Sequence, residues 1–143
     1  MPTQFTVFGD PVELLVLSAQ TGGAFAIGRQ TCKPGGGVPP HIHQNEDEAF
    51  SVISGNFEIF DGTSWIEINE NAVIFAPRGH LHCFRNSGSS DGIIQFISSG
   101  DKFDVFLEGL SGYTIPQDMQ AMIDYSATYG ITYPTLPPPS AAS

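Results

Sequence analysis

Three histidines and one carboxylate stand in two short segments of this chain at spacings that suit a transition metal. The first segment runs Gly35-Gly-Gly-Val-Pro-Pro-His41-Ile-His43-Gln-Asn-Glu-Asp-Glu48, and the second, Pro77-Arg-Gly79-His-Leu-His82, lies some way downstream. In an extended strand, residues i and i+2 face the same side, so His41 and His43 can aim both imidazoles at one point. Glu48 opens the next apolar run, Ala49-Phe-Ser-Val-Ile53, where an antiparallel neighbour would return its carboxylate to the same place. His82 completes the set from a distant strand. Imidazole nitrogens with one carboxylate oxygen suit a divalent transition metal, Fe, Mn, Co, Ni, Cu or Zn, better than Mg or Ca. The donor set does not choose among the six.

These residues resemble the two motifs of the cupin family. The first motif is Gly, five residues, His-x-His, three or four residues, Glu, six residues, Gly; it is met by Gly35, His41, His43, Glu48 and Gly55. The second is Gly, five residues, Pro-x-Gly, two residues, His, three residues, Asn; Pro77, Gly79, His82 and Asn86 meet it, with Asn71 in place of the opening Gly. Asn tolerates the left-handed backbone better than most residues, so the turn is expected to survive. The resemblance implies an all-β, double-stranded β-helix (jelly-roll) barrel. It also implies one divalent metal held by His41, His43, Glu48 and His82. Glu46 and Asp47 could substitute for Glu48, but only Glu48 also leaves six residues to Gly55, and Asp47 is the fallback. His80, in the turn after Gly79, is expected at the rim and not on the metal.

The elements that must position these residues are strands. Short runs rich in β-branched and aromatic residues, from Val12–Leu17 to Ile93–Ile97, are separated by Gly-, Asn- and Pro-containing turns. Asp61-Gly62 between two alternating runs marks a hairpin. After Gly100 the pattern becomes helical. Asp101 is a candidate N-cap for Phe103, Phe106, Leu107 and Leu110 at helical spacing, and Pro116 a candidate start for a second helix ending at Gly130. The expected layout is one domain over 1–143, with a barrel over about 5–98, two short C-terminal helices within about 101–130, and a Pro-rich tail over 131–143 that is mobile unless docked. A barrel followed by two helices and Tyr129-Gly-Ile-Thr-Tyr133 is loosely similar to small cupins described as quercetinase-like.

Composition sets further limits. Fifteen acidic residues against five basic ones give a net charge of −10, which repels nucleic acid and anionic membranes and argues against both as partners. Met1-Pro-Thr-Gln4 shows no basic region followed by an apolar core, so the expected location is the cytoplasm. Cys32 and Cys83 lack CxxC spacing and are expected to be reduced, buried small hydrophobes. A homodimer is expected, with a strand over Phe5–Phe8 adding to the edge of a partner's sheet.

Counting by twos from the candidate ligands, Phe50 and Val52 share the face of Glu48, and Phe84 shares the face of His82. These three are the candidate substrate pocket. Arg29, Gln30 and Arg85 are expected at the solvated surface. A pocket walled by Phe and lacking a placed Lys or Arg suits a small aromatic or enolisable substrate better than a sugar phosphate. The resemblance to quercetinase-like cupins implies the activity of a metal-dependent dioxygenase, with Glu48 as the catalytic base. The alternatives are a non-catalytic or sensory small-molecule-binding module and a sugar isomerase or epimerase.

Overall fold

A computed structural model describes residues 3–140. Its strands are β1 (Gln4–Val7), β2 (Asp10–Val16), β3 (Phe25–Cys32), β4 (Ile42–His43), β5 (Glu48–Ser54), β6 (Phe57–Phe60), β7 (Trp65–Ile68), β8 (Val73–Ala76), β9 (Cys83–Asn86), β10 (Gly92–Ser99) and β11 (Ile131–Thr132), with helices α1 (Phe103–Leu110) and α2 (Met119–Thr128) before the last. A six-stranded sheet, in the order β1-β2-β3-β10-β5-β8, faces a three-stranded sheet, β7-β6-β9, and β4 pairs with β11. This is the double-stranded β-helix. Its hydrogen-bond ladder does not close into a continuous barrel; isolated bridges stand where a closed barrel would have full strands, Gly37 to Arg85 and His41 to His82 beside β9, and Val52 of β5 to Glu70 after β7.

Alternation decides which face is buried. Along β5, Glu48, Phe50 and Val52 point inward, while along β10 it is Ile94, Phe96 and Ser98. The opposing layer contributes Phe57, Ile59 and Phe84. The two layers meet through Phe50 and Phe84, whose ring centroids are 5.6 Å apart. Each such fully buried side chain stabilises the fold by about 1.5–3 kcal/mol. Gly28 is where β3 lets the core in: a Cβ there would run into the Phe96 ring. Asn71, the departure from the second motif, has a φ of +68°, so it supplies the left-handed turn where Gly is usual. The hairpin between β6 and β7 holds the four-residue loop Asp61–Ser64, with the Asp61 carboxylate accepting from the amides of Thr63 and Ser64. Cys32 and Cys83 are free and buried.

Several expectations need correction. Asp101 does not cap α1; that position is Lys102, with no side-chain capping bond, and the Asp101 carbonyl instead accepts from the Ser18 hydroxyl. The second helix starts at Met119, not at Pro116, after a turn in which the Asp118 carboxylate accepts from the Thr114 amide. The tail begins as a strand: β11 pairs with β4, matching Ile131 to His43. Ser140 then ties the chain down by donating from its amide and hydroxyl to Asp124. Residues 141–143 lie outside the described range. β1, which covers most of the Phe5–Phe8 run, pairs with β2 of its own chain and stands at the edge of the six-stranded sheet, leaving its other edge for the expected partner. Among the described residues, no helix is long and apolar enough to cross a membrane.

Candidate metal centre

Three separate pieces of chain deliver the cluster: the segment His41–His43, the start of β5, and the segment before β9. His41 and His82 form a reciprocal backbone pair, each amide donating to the other's carbonyl at 3.0 Å. His43 sits in β4, fixed on one side by β11 and on the other by the Gly79 amide, which donates to its carbonyl at 2.7 Å. Glu48 is the first residue of β5 and points inward with Phe50. One candidate ligand atom from each of His41, His43, Glu48 and His82 falls within 4.8 Å of all the others. The residues are 8%, 1%, 3% and 4% exposed, so the cluster is sealed from bulk water.

The imidazole orientations are set from behind. His41 Nδ1 lies 2.8 Å from the Pro39 carbonyl, His82 Nδ1 3.2 Å from the His80 carbonyl, and His43 Nδ1 3.1 Å from a Glu46 carboxylate oxygen. All three acceptors hold the Nδ1 proton and so turn each Nε2 toward the cluster. His43 Nε2, His82 Nε2 and Glu48 Oε1 are buried without a hydrogen-bond partner. His43 Nε2 and Glu48 Oε1 are only 2.6 Å apart, yet the angles are wrong for a shared proton. Three converging, orphaned donors are costly unless a cation joins them. The residues present therefore fit a divalent transition metal, and this His-His-Glu-His cluster could hold one.

In the metal-free cluster the charges are those of a buried His43–Glu48 ion pair, whose proton a metal would displace. Burial depresses the His41 pKa well below the usual histidine value, helped by the neighbouring His82 and His43, so its imidazole is neutral. Burial works against charge on His43 as well, but Glu48 and Glu46 outweigh it and raise its pKa to about 9. Burial would raise Glu48; instead the close imidazoles of His43 and His82 hold it well below the usual carboxylate range. Both shifts describe one tight pair, and the direction that matters is that Glu48 stays ionised.

Beside the cluster lies a cavity of ≈40 Å³, walled by Phe50, Phe84 and Phe96 of the sheets and by Phe103, Phe106, Leu107 and Leu110 of α1. Space of that size holds a few waters. No Lys or Arg lines it; Gln30 and Tyr133 are its polar members apart from the cluster itself. Tyr133, from the tail, donates or accepts at 2.9 Å with the Ser126 hydroxyl, and burial pushes its phenol up to about 12.

Not every expected site residue lands where the pattern put it. Phe50 and Phe84 line the cavity, but Val52 does not; it is 1% exposed and packs in the core further along β5. Gln30, expected at the surface, is buried beside the cavity and donates to Asp10 at 3.1 Å. Arg29 donates to Gln95, and Arg85 pairs with Glu58 while covering the Trp65 ring, so neither reaches the cavity. Asp47 pairs with Arg78 at 3.0 Å and is not part of the cluster, and His80 is exposed. Three residues of consequence were read from the sequence in other roles: Glu46, weighed as a substitute for Glu48, lies behind His43, and Phe103 and Tyr133 stand in the cavity wall.

A jelly roll holding three imidazoles and one carboxylate at one end of an apolar interior is the architecture of the cupins. The family model for the cupin domain matches residues 28–98, and the chain belongs to this family as a small cupin. A stretch of 72 residues is 32% identical to mannose-1-phosphate guanylyltransferase of Escherichia coli, covering 50% of this chain and 15% of that protein. The likeness is thus confined to a small part of that much longer relative. Among solved structures, the cupin domain of Schizosaccharomyces pombe Cnp3 superposes with a TM-score of 0.59 at 16% identity, covering 79% of this chain and 74% of that one. A cupin-superfamily sugar phosphate isomerase from Silicibacter pomeroyi gives 0.57 at 19% identity, over 64% and 59% of the two chains. Oxalate oxidase in complex with glycolate gives 0.57 at 23%, over 68% and 54%. These three share the fold and differ in what they are described as doing, so the fold alone does not select a reaction.

Proposed function

We propose that this cupin is a metal-dependent dioxygenase acting on a small enolisable substrate, of the size of a short β-diketone or α-hydroxyketone. The observation that carries the proposal is the placement of a three-imidazole, one-carboxylate cluster in an apolar cavity lined by no Lys or Arg. Absence of a cation in the wall leaves a phosphate or free carboxylate without a partner, which disfavours the sugar phosphate reading. The cavity size argues against a three-ring flavonol, since ≈40 Å³ admits only a small molecule unless wall residues move.

A bound divalent metal would supply Lewis-acid stabilisation of the enolate oxygen. The chain's own groups do the rest. Glu48 is the one carboxylate in the cavity wall among the described residues, so it is the group placed to accept the substrate's hydroxyl proton. Phe50, Phe84 and Phe103 exclude water from the charge that develops, and the Nδ1 acceptors keep the imidazoles from turning.

The test pairs metal analysis with an oxygen electrode. Protein loaded with each of Fe, Mn, Co, Ni, Cu and Zn is screened with β-diketones, α-hydroxyketones, catechols and flavonols. Uptake that requires both metal and a small enolisable compound is expected. Glu48→Gln, supplied with excess metal, is expected to keep appreciable metal and lose turnover. Stoichiometric metal in the parent with no oxygen uptake across the screen refutes the dioxygenase and leaves a binding module or an isomerase. Full turnover in Glu48→Gln at normal metal content removes the proton-accepting role.

A further inference from the structure

A substrate has to reach a cluster whose four residues are all at least nine-tenths buried. The β1–β2 turn shows where. Val7 pairs with Asp10, leaving a two-residue turn, Phe8-Gly9, in which φ is +52° and +83°. Two-residue hairpins with positive φ at both positions favour Asn-Gly, because Asn and Gly enter the left-handed region cheaply. A bulky aromatic there is a conformational outlier that persists only where its surroundings hold it. The turn itself gains nothing from Phe; only the ring can offset the outlying conformation.

The Phe8 ring is half-buried against the core and forms part of the wall of the cavity beside the metal cluster. It also borders a second, larger cleft of ≈450 Å³, whose other walls are Thr6 and Gly9 on the hairpin and Ser111, Tyr113, Thr114 and Ile115 between α1 and α2. Phe8 alone belongs to both linings. The inner cavity is apolar, while the outer cleft offers hydroxyls from Thr6, Ser111, Tyr113 and Thr114.

We propose that Phe8 is the access- and size-determining residue of this site: its ring is the partition between the outer cleft and the metal-site cavity, and entry requires it to move. A molecule using this path is small and uncharged, with an oxygen or two that the hydroxyl-lined cleft receives and an apolar body that the inner wall accepts. The partition also explains how a narrow inner cavity can lie next to a roomy cleft. The inference concerns access, so it stands whether or not the cluster performs the reaction proposed above.

The test reads access directly, on the metal-free chain. Diethyl pyrocarbonate acylates unprotonated imidazoles, and peptide mass spectrometry gives a rate for each histidine. Exposed His80 is the internal reference, and His41 and His82 report on the site. Phe8→Asn removes the ring while supplying a residue the turn prefers, so its melting temperature is expected to equal or exceed the parent's. Acylation of His41 and His82 relative to His80 is expected to rise at least ~10-fold, a change of about 1.4 kcal/mol in the barrier to access. Leu107→Ala, which widens the inner cavity without touching the outer cleft, is expected to change those rates by no more than ~2-fold. Unchanged protection in Phe8→Asn overturns the proposal. So does equal acceleration in Leu107→Ala, which would mean that general breathing, and not the partition, admits the reagent. A fall in melting temperature with unchanged protection would assign Phe8 to packing alone.

Discussion

Glu46 provides the sharpest test of how the cluster is held. Its carboxylate lies 3.1 Å from His43 Nδ1, with the two side chains only 6% and 1% exposed, so no water can replace either partner cheaply. Removing Glu46 leaves a buried N–H without an acceptor and frees the ring to turn its Nε2 away from the cluster. A hydrogen bond to a charged group contributes about 1.5–3 kcal/mol, and outer partners of metal-binding histidines typically govern metal affinity by about 10–100-fold, two estimates that agree. Glu46→Ala is therefore expected to weaken metal binding by about 10–100-fold. Glu46→Gln keeps an acceptor oxygen at the same reach but no charge, so its loss is expected to fall between parent and Glu46→Ala. Competition with a chromophoric chelator at fixed pH measures all three, and the melting temperature of each metal-free chain reports any structural damage. The reasoning fails if Glu46→Ala binds metal within ~2-fold of the parent. It also fails if affinity is lost only in proportion to lost stability in the metal-free chain. A parent that binds no metal would refute the cluster itself, a different outcome.

Two further predictions concern the frame around the site. Burial raises the Asp10 pKa above its usual value despite the hydrogen bonds from Gln30, Cys32 and Lys33 that oppose it. With the folded pKa above the unfolded one, ionising Asp10 costs stability progressively as pH rises past the unfolded value, until the folded pKa is exceeded. Asp10→Asn, which still offers Gln30 an acceptor, should gain melting temperature on the parent between pH 3.5 and pH 7; a gap that is constant or shrinks contradicts this. The outer face of the six-stranded sheet exposes Phe75 at 63%, Val73 at 69% and Ile97 at 41%, with Phe75 and Ile97 flanking Ala49 in register. We expect this face to pair two copies, so that sedimentation gives a dimer for the parent and the 15.3 kDa monomer for Phe75→Lys; a monomeric parent at micromolar concentration refutes it.

What the sequence disclosed was whatever depends on short spacing. His41 and His43 share a side because strands alternate, and the loop lengths of the two motifs bring Glu48 and His82 to the same place. Strand positions followed from β-branched runs between turn residues, and β6 and β7 flank the Asp61-Gly62 turn as its hairpin signal requires. Alternation tells which side a residue faces but not how far along the interior it lies. That is why Phe50 reaches the cavity while Val52, on the same side two residues later, is core. Gln30 shows the complementary limit: an isolated amide reads as surface until a buried Asp10 is found to accept from it.

The residues whose roles escaped notice share one physical trait: their partners are fixed by backbone geometry that no local pattern encodes. Glu46 is three residues from His43, yet only the bend between β4 and β5 turns its carboxylate back onto Nδ1 and leaves Asp47, its neighbour, pointing out to Arg78. Tyr133 reaches the cavity because β11 pairs with the two-residue strand that carries His43, an association across almost ninety residues that a Pro-rich tail gave no reason to expect. That pairing also makes the C-terminal segment part of the site. Its first strand braces a candidate ligand, α1 closes the cavity with Phe103 and Leu107, and the loop after α1 walls the cleft on the far side of Phe8. The cupin motifs thus place the metal chemistry, while the segment beyond them and the strained turn at Phe8 decide what can reach it.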